Sequence, residues 1–167
     1  MKVQRTRKWS KEKQEEKDWQ QAVASCVLLD KHFHEEIELN RTQMAVLSRY
    51  IDVQSKKSFY FFAKFVLGFD LLTDETHKVW CDKHQDSFNK RIEKIMRLKP
   101  RATFKTTVYG VAFILWLWAC VATELRIFYT SNNATLLEEV SDSISQYLNP
   151  DIKSIFQTVF GKSHAAG

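Results

Sequence analysis

The sequence predicts an α/β fold: a helical lead-in, then the first part of a parallel sheet with flanking helices. Residues up to about 93 are charged and helix-like, with no strand signal. The pattern then changes to two short apolar runs, Lys94-Ile-Met-Arg-Leu98 and Leu125-Arg-Ile-Phe-Tyr-Thr130. A turn and a helix-like stretch follow each of them. Strand, loop, helix, strand, helix in that order is the grammar of a parallel sheet with crossover helices. The expected division is a charged helical region over residues 1–57 and a sheet-bearing region over residues 58–167.

Residues 1–20 mix Lys and Arg with Glu and carry Trp9 and Trp19, which suits an exposed helix starting near Ser10. That helix docks through the apolar stretch AVASCVLL ending at Leu29. Asn40 or Thr42 caps a second helix running to Tyr50. Ser55 or Ser58 opens a third, whose FYFFAKFVL leaves almost no polar face, and Gly68 ends it. Thr73 or Asp74 caps a fourth helix running toward Ile95, with Val79, Trp80 and Phe88 on its apolar side. Residues 108–122, VYGVAFILWLWACVA, are apolar throughout but fall short of the roughly 20 residues a bilayer span needs. A helix buried on all sides is the better reading. Ser131, Asn132 and Asn133 are capping residues for an amphipathic helix over Ala134–Leu148, which Asn149-Pro150 stops.

Composition narrows the class. In 167 residues, 44% hydrophobic content with 12 Phe and 5 Trp supplies a real core, and 4 Gly with 2 Pro excludes a collagen-like or linker-like chain. The net charge of +5 suits a polyanionic partner and equally suits solubility. Three cysteines, Cys26, Cys81 and Cys120, lack framework spacing, so a reduced intracellular protein is expected. No apolar stretch of secretory type opens the chain.

The chemistry concentrates in Lys99-Pro-Arg-Ala-Thr-Phe-Lys-Thr-Thr107, between the first expected strand and the apolar helix. A phosphate-binding loop has this setting, because the amides and dipole of a helix N-terminus favour an anion. In the register G-x-x-x-x-G-K-[ST], Lys105 takes the place of the lysine that meets β- and γ-phosphates, and Thr106 that of the Mg²⁺-binding hydroxyl. Lys99 and Phe104 stand where the two glycines belong. Three cations around one turn repel one another unless an anion lies between them. The bland alternative is a solvated basic turn.

This region resembles the large subunit of tailed-phage terminases, over residues 59–160. The family's phosphate loop reads Pro-Arg-Gly-x-x-Lys-Thr-Thr, and Pro100-Arg-Ala-Thr-Phe-Lys-Thr-Thr107 matches it except for Ala102. FAKFVLGFDLLTDETHKVWCD is similar to the family's helical lead-in, and Ile127-Phe-Tyr-Thr-Ser-Asn-Asn-Ala134 to its next strand and turn. The resemblance implies a P-loop NTPase sheet, with ATP and Mg²⁺ as ligands. ATP would be held by Arg101, Ala102, Thr103, Phe104, Lys105, Thr106 and Thr107, with Thr106 on Mg²⁺ and Trp80 or a neighbour near the adenine. It further implies a ring motor that drives double-stranded DNA into procapsids. Its partners would be a portal protein and a small terminase subunit, in the cytoplasm of an infected bacterium. Other P-loop nucleic-acid motors, and a non-enzymatic basic nucleic-acid-binding module, are the alternatives.

Other clusters carry less. His77, Cys81 and His84 share one helix face by spacing, but a structural zinc site needs a fourth ligand. Glu35-Glu36 and Glu138-Glu139 read as solvated helix faces. Lys90, Arg91, Lys94, Arg97 and Lys99 could meet DNA phosphates. No apolar run ends in Asp-Asp or Asp-Glu, the acidic pair that ATP hydrolysis requires. The purified chain is therefore expected to release no phosphate from ATP at a useful rate. Turnover that disappears in Lys105→Ala would refute this.

Overall fold

The computed structural model describes residues 2–92, 96, 100, 103–121 and 126–161, with side chains from Ser10 onward. Helix α1 spans Lys2–Phe33, and the chain reverses at Glu35, whose φ is 61°. Asn40 opens α2, Arg41–Lys57, through a reciprocal capping box. Its side chain accepts from the Gln43 amide, and the Gln43 side chain accepts from the Asn40 amide, each at 2.9 Å. Ser58 caps α3, Phe59–Phe61, which continues as a π-helical stretch, Phe62–Val66, and stops at Gly68 in the left-handed region.

A π-helical turn, Asp74–Lys78, leads into α4, Val79–Asn89, which Arg91 ends with a φ of 53°. The apolar run forms one composite helix over residues 105–121. Its centre is α5, Phe113–Trp116, flanked by π-helical stretches Thr107–Ala112 and Leu117–Val121. Helices α6, Ala134–Leu148, and α7, Ile155–Phe160, complete the order. The start and end of α6 are those read from the sequence. Helix α7, capped by the Ser154 hydroxyl, went unanticipated.

The core is built around α3. Phe59, Tyr60, Phe61, Phe62 and Ala63 are each fully buried, so every face of this helix meets protein. Trp19 of α1 lies edge-on to Phe61 at 5.3 Å between ring centroids. Phe113 and Trp116 of α5 close on Phe59 at 5.3 and 5.6 Å. Phe160 of α7 meets Phe62 at 5.7 Å.

The break between α2 and α3 leaves backbone groups unpaired, and Gln85 of α4 serves both sides. Its carbonyl oxygen accepts from the Phe59 amide at 2.9 Å, and its amide donates to the Lys57 carbonyl at 3.1 Å. The Trp116 indole donates to the Ser55 carbonyl at 2.9 Å in the buried interior. Tyr147 of α6 donates to the Leu67 carbonyl at 2.7 Å. A Cβ added at Gly110 would lie 3.1 Å from the Tyr129 hydroxyl and 3.5 Å from a methyl of Val140. The composite helix thus approaches both segments at that point.

This architecture corrects the α/β expectation. No strand occurs among the described residues, so the parallel sheet of a P-loop NTPase is not the fold observed. Of the first expected strand, 94–98, only Met96 lies within the described residues, and it is 89% exposed. Of the second, 125–130, residues 126–130 are described as irregular and exposed, with Phe128 at 93%. The physical reason is one of partners. Aromatic and β-branched content favours a strand only where a neighbouring strand and a core surface await it. Here the apolar faces of helices fill the interior. The apolar helix was expected against a sheet and is instead packed among helices. None of the helices, among the described residues, is long and apolar enough to cross a membrane.

Since α3 is enclosed on all sides, Phe62→Ala is expected to cost about 3–5 kcal/mol by denaturant unfolding. Leu71→Ser, at a residue 70% exposed, is expected to stay within about 0.5 kcal/mol of the parent.

Candidate phosphate-binding turn

The turn that carries the basic residues enters the composite helix at Phe104. Its φ is 54°, the left-handed region that a bulky residue enters at a cost of about 1–2 kcal/mol. The next helical turn starts from it, because the Val108 amide donates to the Phe104 carbonyl at 2.8 Å. Ahead of it, Thr103 donates through its hydroxyl to the Pro100 carbonyl at 2.9 Å and closes the turn. An α-helix leaves its first amides without carbonyls behind them. Lys105, Thr106 and Thr107 occupy that first turn, with the Lys105 side chain exposed and both threonines half-buried. Arg101 and Ala102 lie outside the described residues, as does Lys99.

The ring of Phe104 packs on His77 at 5.9 Å between centroids, and His77 meets Trp80 at 5.2 Å. The fold therefore joins the turn to the helix that carries Trp80 through one histidine. His77 is 8% exposed. Its Nδ1 accepts from the Thr73 amide at 3.0 Å, which leaves the proton of the neutral ring on Nε2. Among the described residues, Nε2 has no hydrogen-bond partner. Sequence spacing singled out His77 only as a metal ligand. Its role as the link between Trp80 and the turn depends on a contact 27 positions away, which no local pattern announces.

No metal-binding group of three or more His, Cys, Asp or Glu residues exists among the described residues. Cys81 is fully buried in the core, and burial pushes its thiol up to about 12.

One polar cluster supports the start of the π-helical turn from beneath. Lys64 Nζ donates to the Asp74 carboxylate at 2.8 Å and to the Tyr60 hydroxyl at 3.0 Å. Tyr60 in turn donates to Asp74 and lies 3.1 Å from the Leu72 carbonyl. Hydrogen bonds from Lys64 and then Tyr60 hold the Asp74 carboxyl below its ordinary range. Burial first, and Asp74 second, push the Tyr60 phenol up to about 12. A lowered carboxyl pKa stabilises the fold above its unfolded value, near 4. That contribution is lost as pH falls through the folded value. The Asp74 side chain is 71% exposed, so solvent screens the pair: Asp74→Asn is expected to cost less than about 1 kcal/mol at pH 7 and to flatten the fall in stability below about pH 4. Urea unfolding across pH 2–7 is the measurement.

No protein-family model, curated protein or solved structure matches this chain.

Proposed function

We propose that the turn over residues 100–107, with the helix it opens, takes the phosphates of ATP, and that the chain is the ATP-binding portion of a DNA-packaging terminase large subunit. One observation carries the reading: the backbone at Phe104. The phosphate-loop register asks for glycine at this position because the chain there must adopt a positive φ close to the phosphates. Phe104 has that φ without being glycine. Lys105 and Thr106 follow it at the start of a helix, where first-turn amides and the helix dipole favour an anion.

In this reading Lys105 neutralises the β- and γ-phosphates, Thr106 holds Mg²⁺ through its hydroxyl, and Thr103 and Thr107 complete the cradle with Arg101 and Ala102. Trp80, joined to the turn through His77, is the residue toward which the base would lie. ATP and Mg²⁺ supply the phosphoanhydride and its counter-charge; this chain's residues bind and orient them. The wider proposal has double-stranded DNA, a portal ring and a small terminase subunit as partners, in the cytoplasm of an infected bacterium.

The test is titration calorimetry of the purified chain with MgATP. Lys105→Ala is expected to weaken binding about tenfold or more, the loss of one charge-assisted contact. Phe104→Gly is expected to retain binding, since glycine adopts the same φ at no steric cost. Equal binding by parent and Lys105→Ala, or salt-sensitive DNA binding indifferent to ATP and Mg²⁺, would overturn the reading.

A further inference from the structure

A second site lies away from the turn, where α1 crosses the end of α2 and the Asp74–Lys78 turn. A cleft of about 850 Å³ opens there. Four carboxylates, Glu12, Glu15, Glu16 and Asp74, line it against two ammonium groups, Lys57 and Lys78. Both lysines are engaged: Lys57 pairs with Asp18 of α1 at 3.4 Å, and Lys78 sits 5.4 Å from the Trp19 ring centroid. Asp74 is paired with Lys64, so among the described residues Glu15 and Glu16 against Lys78 carry the negative charge that faces the cleft, on a chain whose net charge is +5.

The second observation is Gln54. Its side chain lines the same cleft while the residue is only 8% exposed. Among the described residues no hydrogen bond ties down its side-chain amide, which is left to the cleft. Gln85, at the nearby helix junction, uses both ends of its amide. Gln54 faces into a cleft walled by carboxylates and by Trp19 instead.

We infer that this cleft receives an arginine-bearing peptide segment of a partner protein. A guanidinium is planar, carries five donors and stacks on an indole, so one side chain can meet carboxylate, amide carbonyl and ring together. Lys78 already shows that the Trp19 ring accepts a cation. A lysine ammonium would satisfy the carboxylates as a point charge and leave the planar amide and indole unused. The volume of about 850 Å³ exceeds what one ion fills. The inference is independent of ATP binding at the turn.

Titration of the full chain with a blocked tri-arginine peptide tests it, with tri-lysine and N-acetyl-arginine amide as the comparison probes. The tri-arginine peptide is expected to bind about tenfold tighter than either comparison probe. Replacing both carboxylates in Glu15→Gln/Glu16→Gln is expected to weaken it about tenfold with helicity unchanged by circular dichroism. Those residues are exposed, so this variant keeps the test valid even if Gln54→Leu disturbs packing. Gln54→Leu, when folded, is expected to narrow the preference for arginine over lysine. Equal binding of arginine and lysine peptides overturns the inference, as does binding unaffected by the double substitution. Free blocked arginine binding as tightly as the peptide would also overturn it.

Discussion

Complete enclosure of the α3 backbone is the constraint on which the rest of the molecule depends. Five consecutive residues, Phe59 to Ala63, are fully buried, so no side of that helix can face water. A helix apolar all round is stable only when other elements surround it. Rings of α1, α5 and α7 close on it, and Gln85 of α4 reaches its backbone. Enclosure has a polar cost, because a break next to it exposes unpaired amides and carbonyls in a dry interior. Gln85 and Trp116 meet that cost by reaching the backbone at Lys57, Phe59 and Ser55. These two side chains thus serve the backbone, while aromatic and aliphatic side chains fill the core around it.

Local signals in the sequence were read well where they depended on neighbours in the chain. Asn40, Ser58 and Thr73 all stand at the N-terminal boundaries of helical segments, and Gly68 has the left-handed φ that ends one. The amphipathic stripe of α6 located both ends of that helix. Strand signals failed because a strand is completed by another strand, and no short pattern records whether one is present. Ile127, Phe128 and Tyr129 have strand-like chemistry and no ladder among the described residues. Helix α7 was missed for the opposite reason: one turn and a half of IFQTVF is too short for periodicity to register.

The turn at Phe104 was legible as a charge pattern but not as a shape. Glycine content is a proxy for positive φ, and the proxy reads zero here while the φ itself is present. The ring of Phe104 rests on His77, a tertiary contact that helps hold the backbone where the residue's own preference would not. The cleft beside Trp19 was not legible at all. Its walls come from α1, α2 and the Asp74–Lys78 turn, so its residues are scattered over more than sixty positions. Gln54 reads in the sequence as an ordinary polar residue on a helix, and only burial reveals it as unusual.

Gly110 couples three segments by the absence of one carbon atom. A Cβ there would press on the Tyr129 hydroxyl at 3.1 Å and stand at ordinary contact distance from a Val140 methyl, so an alanine fits only if the tyrosine gives way. Substitutions at 110 and 129 should therefore travel as a pair: a smaller residue at 129 opens room that an alanine at 110 can fill. The same geometry brings the Tyr129 ring of the exposed 126–130 segment against the helix at Gly110.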